Sequence, residues 1–475
     1  MKIPFVGSAY AARSLNADAQ RALNCYLELD NASPRAPLAL YGTPGLVLEY
    51  TLATAPVRGA VLQGDYVYFV SGDTVYRADA AGVIATLGMI ATAAGQIGIA
   101  SNGTQVMVVD GTSGWIVDGT TVAQIVDADF PAGVTRVTCQ DGFFIVTGLA
   151  GSQQFWINEN PNDGSGWDGT DFASAEGAPD NTITCISNHR ELWLFGAFSA
   201  EVWVNTGNVD FPFERSGNVF LEVGTAAAGS VAPMDNTLFW LGRSVDSAGV
   251  VYKANGYSPQ RISTHAIERE IQSYPRIDDA VALTYEQEGH HFYVLSFPTA
   301  NRTWVYDAST EQWHERAWRD PSTGQLNRWR AQCAVYFRSK RFVGDFETGK
   351  IYSLNLDTYT DNGDPILRLR TTQCMDSPDG ARNFYASLQV DMEAGVGLAT
   401  GQGSDPQLML RYSNDGGHRW SGLKTKSIGA VGQYDARVKF GPTGAGRNRV
   451  WEISMTDPVK FAVLGAYARV TPGSA

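Results

Sequence analysis

Cysteine is scarce in this sequence: Cys25, Cys139, Cys185, Cys333 and Cys374 are scattered over 475 residues. An odd number with no C-x-x-C pair excludes a disulfide framework or a zinc ribbon. The five read as small buried hydrophobes of a chain made in a reducing cytoplasm. The six histidines (His189, His265, His290, His291, His314, His418) show no metal-ligand spacing, and adjacent His290 and His291 fall on opposite faces of a strand. No metal or other cofactor is expected. A membrane-spanning helix needs roughly 18 consecutive apolar residues, and no such run exists. The apolar stretch after Met1-Lys2 is broken by Pro4, Gly7 and Ser8, too short for a signal-peptide core. G-x-S-x-G, Walker A, G-x-G-x-x-G and H-E-x-x-H are all missing, so no motif points to an enzyme.

Helix signals are few as well. "NADAQRALNCYLE" predicts one helix near the N-terminus, with Asn16 or Asp18 as cap. "STHAIEREIQSY" predicts another, capped by Ser263 or Thr264, with Ile267 and Ile271 on one face. What the chain has in quantity is glycine (50), aromatic residues (12 Trp, 20 Tyr, 21 Phe) and aspartate in turn positions. Short apolar or alternating runs lie between Gly, Asn and Asp clusters, which makes this an all-β chain.

One pattern recurs: a turn, an apolar strand, a second turn, then a strand with an aromatic. It begins at Gly64, Asn102, Gln140, Asn188, Asp235, Gly289 and Arg338. A spacing of ~35–55 residues suits a four-stranded blade, and a lone blade cannot bury both faces of its sheet. The expectation is a β-propeller of six or seven blades over residues 40–360, preceded by an N-terminal arm (1–39). Two chance-spaced β-sandwiches are the competing arrangement. "LALYGTPGLVLEY" is placed to pair with the last blade and close the ring. The polar stretch Leu356–Pro365 suggests a boundary, followed by a C-terminal β-sandwich or jelly-roll domain (361–475). There "RVWEISM" puts Val450, Glu452 and Ser454 on one face and Trp451, Ile453 and Met455 on the other.

"SNDGGHRW" (413–420) in that domain has the S-x-D-x-G-x-x-W spacing of the Asp box found on sialidase blades. Its physics is structural: Ser413 and Asp415 hydrogen-bond a turn, Gly417 takes positive φ, and Trp420 starts a strand as a buried anchor. The box occurs once and not in the blades, which weakens a sialidase reading. Charge is placed unevenly. From Val61 to Arg190 there are twelve Asp with Glu159 and Glu176 against Arg77, Arg136 and Arg190, a local balance of −11 within a total of −13. Asp65, Asp110 and Asp141 belong to this acidic excess, which suits an interaction surface of one sign. Outward blade turns explain the same aspartates. A further run, Arg316–Phe342, interleaves Arg and Lys with Trp318, Trp329 and Tyr336; it fits either single-strand stacking or solvated strand faces.

"RALNCYLE" (21–28), "LYGTPGLVL" (40–48), "SAEVWVNTGNVDFPFER" (199–215) and "WVYDASTEQW" (304–313) together resemble the packaged-DNA stabilisation proteins of short-tailed bacteriophages, also called tail hub or nozzle proteins. The resemblance implies a structural virion protein of the phage tail and no catalytic site. It implies a homo-oligomeric ring, six copies by family expectation, beneath the portal and its adaptor ring, with tail fibre, spike or needle proteins as further partners. Double-stranded DNA would pass through transiently, held after packaging and released at ejection, and the resemblance makes Asp65, Asp110 and Asp141 candidates to face that channel, repelling phosphates so that DNA slides without being held. The alternatives are a sialidase-like carbohydrate-active propeller and a non-enzymatic sugar- or receptor-binding tail protein.

Overall fold

The computed structural model describes residues 1–9, 11, 20–29, 38–376 and 380–473. Seven sheets stand around an axis, covering 57–89, 98–124, 136–174, 182–221, 224–261, 281–315 and 331–355 in chain order. They are the seven blades of a propeller. The last has only three strands of its own, Ala331–Phe337, Lys340–Asp345 and Lys350–Asn355. Its outer strand is Gly45–Thr51, antiparallel to Lys350–Asn355. The ring therefore closes through the segment expected to close it, and blade seven has no bare edge there.

The repeats were visible because each begins at or beside the hairpin between a blade's first and second strands. Five of these hairpins turn on two consecutive residues with positive φ: Asp141-Gly142, His189-Arg190, Asp235-Asn236, Glu288-Gly289 and Arg338-Ser339. That is the backbone of a type I′ turn, whose twist matches the flanking strands. Each pair of neighbouring blades shares a hydrophobic cluster. Blades three and four, for example, bury Ile145 and Phe155 against Leu192 and Trp203. Blades seven and one close on Phe342 and Ile351 against Val57 and Phe69. Near the axis the packing tightens: a Cβ on Gly98 would lie 2.7 Å from Val109 Cγ2 and 2.8 Å from the Val137 nitrogen. Only glycine fits there.

The helix His265–Gln272 follows blade five, with the Ile267 amide donating to Thr264 Oγ1 as the sequence suggested. Ile267 and Ile271 bury between blades five and six. The other expected helix is replaced by strands, Ala22–Leu23 and Cys25–Leu29; its proposed caps, Asn16 and Asp18, lie outside the described residues.

Ala22–Leu23 pairs in parallel with Gln312–Glu315 of blade six and antiparallel with Arg368–Thr371. The blade six sheet thus runs on through Val450–Met455, Gln407–Ser413 and Lys424–Ser427, nine strands in all. A second sheet, in the order Cys25–Leu29, Leu38–Gly42, Ala462–Pro472, Asn383–Met392 and Val438–Phe440, covers this extension. Phe5, Leu388, Leu408, Trp451, Ile453 and Phe461 fill the sandwich between them. Trp451, Ile453 and Met455 point inward as their alternation predicted, while Val450, Glu452 and Ser454 on the other face are buried too.

Candidate functional site

The Asp box is a turn whose polar atoms are occupied locally. Ser413 Oγ donates to Asp415 Oδ1 at 2.6 Å and accepts from the Gly417 amide at 2.8 Å. Asp415 Oδ1 also accepts from the Arg419 amide at 2.8 Å. These bonds hold the Asp415 carboxyl below the usual carboxylate range. Gly417 takes φ +102°, as expected. Trp420 differs from expectation: it lies outside any strand and is only half-buried, with the Arg411 guanidinium 4.9 Å from its ring centre. Arg411 is held by Glu452, so the ring caps an ion pair at the sheet surface instead of anchoring a core.

Asp65, Asp110 and Asp141 sit in blade turns, and the structure does not bring all three together. Asp65 and Asp141 lie in first-to-second strand hairpins, on one face of the propeller. Asp110 follows the second strand of blade two and so lies on the opposite face. It is 6% exposed, accepts from the Thr112 and Ser113 amides through Oδ1, and from the Thr92 amide and Trp115 Nε1 through Oδ2. Asp141 pairs with Arg190 at 3.2 Å and accepts from Asn205. Asp65 is exposed.

A cavity of about 470 Å³ follows the propeller axis, and none of those three aspartates lines it. Arg58, Gln96, Arg136 and Gln332 supply much of its polar lining. Arg58 is held by the carbonyls of Gly72, Ala94 and Gly95 at 2.9–3.0 Å, a cation used to tie a connection between blades. Within Arg316–Phe342 the expectation divides: Arg338 and Lys340 are exposed, while Arg316, Arg328 and Arg330 are buried against protein aromatics. Arg316 lies 3.5 Å from the Trp329 ring centre and donates to Tyr285 and the Pro44 carbonyl; Arg330 pairs with Asp345 at 2.7 Å. Both are buried fasteners.

Periodicity gave no hint of the joint between propeller and sandwich. Asn24, with φ +52°, places its side chain among three backbone groups. Its Nδ2 donates to the Ala317 and Leu367 carbonyls and its Oδ1 accepts from the Ala317 amide, each at 2.9 Å. Arg21 pairs with Glu315 of blade six at 2.7 Å. Glu28 reaches His290 Nε2 at 2.9 Å, and His290 Nδ1 lies 2.7 Å from Asp307. Burial would lower the His290 pKa, but the two carboxylates overcome it and raise the value to about 9. Neighbouring His314, buried without a carboxylate partner, falls to about 3. Arg370 fixes the approach of the N-terminal segment through the carbonyls of Phe5, Gly7 and Ser8 at 2.7–2.9 Å. "RALNCYLE" is thus the joint itself. The only signal available was its part in the family resemblance, because its partners lie some 290 to 350 residues away.

Cys25, Cys185 and Cys333 thiols are pushed up to about 12 by burial, and none of the three is in a disulfide. Among the described residues no group of three or more His, Cys, Asp or Glu is arranged to hold a metal ion, and no helix is long and apolar enough to cross a membrane.

Comparison with known structures returns matches of low similarity. The WD40 propeller domain of Doa1 is 12% identical with a TM-score of 0.40, covering 66% of this chain and 96% of its own. The Neurospora crassa Pan2 WD40 domain is 8% identical with a TM-score of 0.42, covering 68% and 96%. The extracellular domain of the putative hybrid two-component system BT4673 from B. thetaiotaomicron is 11% identical with a TM-score of 0.44, covering 84% and 47%. No curated protein matches the chain. Family models decide the matter. "Bacteriophage P22 Gp10, beta-propeller" matches residues 19–359 and "Bacteriophage P22 Gp10, beta-sandwich" matches residues 368–471, in the order in which the structure lays the two folds down. The chain belongs to the bacteriophage P22 Gp10 family of phage stabilisation proteins.

Proposed function

We propose that this chain is a subunit of a ring-shaped tail nozzle, set below the portal and its adaptor ring, that retains packaged DNA and forms the channel for its ejection. The observation that carries the reading is the joint. Propeller and sandwich share a nine-stranded sheet, locked by Asn24, Arg21 and the Glu28–His290–Asp307 chain. A part that bears the pressure of a packed genome needs such a stiff connection more than it needs a cleft. The Asp box adds no competing chemistry, because its carboxylate is committed to its own turn. The subunit acts by assembly, not turnover, with the adaptor ring above it and tail fibre, spike or needle proteins as further contacts.

Asp65 and Asp141 remain the aspartates proposed to face passing DNA, since both lie on one propeller face. Asp110, buried and used in its turn, is left out of that wall. Imaging of intact particles tests the reading: density for this chain coaxial with the portal, in several copies around the DNA path, is the expected result. A single copy per tail, or a position off the axis, overturns it.

A further inference from the structure

The sandwich sheet that faces away from the core presents an open basic surface. Register places Lys2, Tyr467, Gln389 and Lys439 in one row across it. Neighbouring strands are about 4.8 Å apart, so this row spans roughly 14 Å. Arg469 lies two residues beyond Tyr467 on the same face, and Arg437 two before Lys439. Phe384 and Tyr467 stand out of the sheet, 52% and 51% exposed. None of Lys2, Arg437, Lys439 or Arg469 is in an ion pair among the described residues, and Asp391 is the only acid in the central strand Asn383–Met392. In a chain of net charge −13 this is a local reversal of sign.

The opposite sign gathers on the free outer strand of blade three, Asp163–Ser174. Asp163, Asp168 and Asp171 lie on it and Glu159 on the strand beside it. Asp129 packs close enough that a Cβ on Gly169 would be 3.0 Å from its Oδ1. Burial, with smaller contributions from Asp168 and Glu159, raises the Asp171 pKa. No basic side chain is within ion-pair distance of them among the described residues.

The sandwich is fused to blade six, and blade three is three blades away around a ring of seven. The two surfaces therefore point away from each other and cannot meet within one chain. Contact between two copies through them is heterologous, head to tail, the kind that closes a ring when its rotation returns to the start. We infer that the basic sheet face of one copy docks on the acidic outer strand of blade three of the next. This rests on the ring reading above and names the surfaces that build the ring. Exposed charges of this kind contribute more to orientation and partner choice than to raw affinity, and the exposed Phe384 and Tyr467 supply the apolar contact.

Charge exchange tests it in particles assembled with variant chains, counting copies per tail. Lys439→Glu with Arg469→Glu, or Asp168→Lys with Asp171→Lys, should each lower incorporation by at least about tenfold. Lys439, Arg469 and Asp168 are exposed and Asp171 is half-buried, so unchanged thermal melting of each variant is needed to show that folding is not the cause. A chain carrying all four exchanges should regain incorporation, and the two double variants co-expressed should assemble together where neither does alone. Normal incorporation of either double variant, or no recovery in the four-fold exchange, overturns the interface. If the Lys439/Arg469 variant assembles normally but loses binding to a short single-stranded oligonucleotide, the sheet belongs to nucleic acid instead. Rings with full copy number from the double variants would leave the nozzle reading standing, whereas one copy of wild-type chain per tail would remove it.

Discussion

Ser413 Oγ accepts from the amides of Asp415 and Gly417 while donating to the Asp415 carboxylate, and its side chain is buried. Removing it leaves those amides without their acceptor. Ser413→Ala should cost about 1–2 kcal/mol, read from the denaturation midpoint, and Asp415→Ala should lower the melting temperature without abolishing any hydrolysis. Loss of a glycan-cleaving activity from a fully stable Asp415→Ala chain would refute the structural role. His290 makes a second prediction at this scale. Its folded pKa, about 9, is above the ordinary value near 6.5, so the folded state binds the proton more tightly. The stabilisation is complete below about pH 6.5 and is lost as pH rises through about 9. Asp307 and Glu28 face the ring directly, and His314, with its value near 3, stays neutral throughout that window. His290→Gln should therefore flatten the stability curve between pH 6.5 and 9. An unchanged slope in urea titrations across that range would show that the proton sits elsewhere.

Elements differ in how far sequence reveals them. The blades were legible because a tight hairpin, type I′ in five of the seven, and the apolar strand after it are local, and each repeat began at or beside that hairpin. The closing strand was legible because an open ring would leave an edge. Ala22–Leu23 and Cys25–Leu29 were not: their apolar residues suit a helix as well as a strand, and their partners are Glu315 and Leu369 at one point and Leu38–Gly42 at another. Distant pairing overrode local propensity. The arginines of 316–342 misled for a similar reason, since burial against Trp318, Trp329 and Phe346 is invisible before the blades are stacked. The I′ turns also supply a test. Arg338 and Ser339 hold φ of +50° and +60°, a region that costs side chains energy. Replacing the pair by Asn-Gly should stabilise the propeller by about 0.5–1 kcal/mol, measured as a raised urea midpoint. A lowered midpoint would mean that the Arg338 contact with the Ala80 carbonyl outweighs backbone strain.

For the whole molecule the question is whether propeller and sandwich unfold as one. Each has its own core, seven blade clusters on one side and the Leu388–Trp451 cluster on the other. Two such cores would ordinarily melt separately. What couples them here is the continuous sheet and the joint along it: Leu23, Ala317 and Leu369 in a small cluster, Tyr26 packed on Phe292 and Val294 of blade six, and Asn24 bonding to Ala317 on the blade six side and Leu367 on the sandwich side. Asn24→Ala leaves the Ala317 amide and two carbonyls unpaired and puts an alanine at φ +52°. The cost should be about 3 kcal/mol or more, concentrated at the joint. Wild-type chain should show one calorimetric transition, and Asn24→Ala two, the sandwich melting first because the propeller retains its closing strand Gly45–Thr51. A single transition shifted downward would mean that the continuous sheet couples the two folds without the asparagine. Particles built with the two-transition variant should then lose packaged DNA on warming before the propeller itself unfolds, since a nozzle transmits load only while its two parts move together.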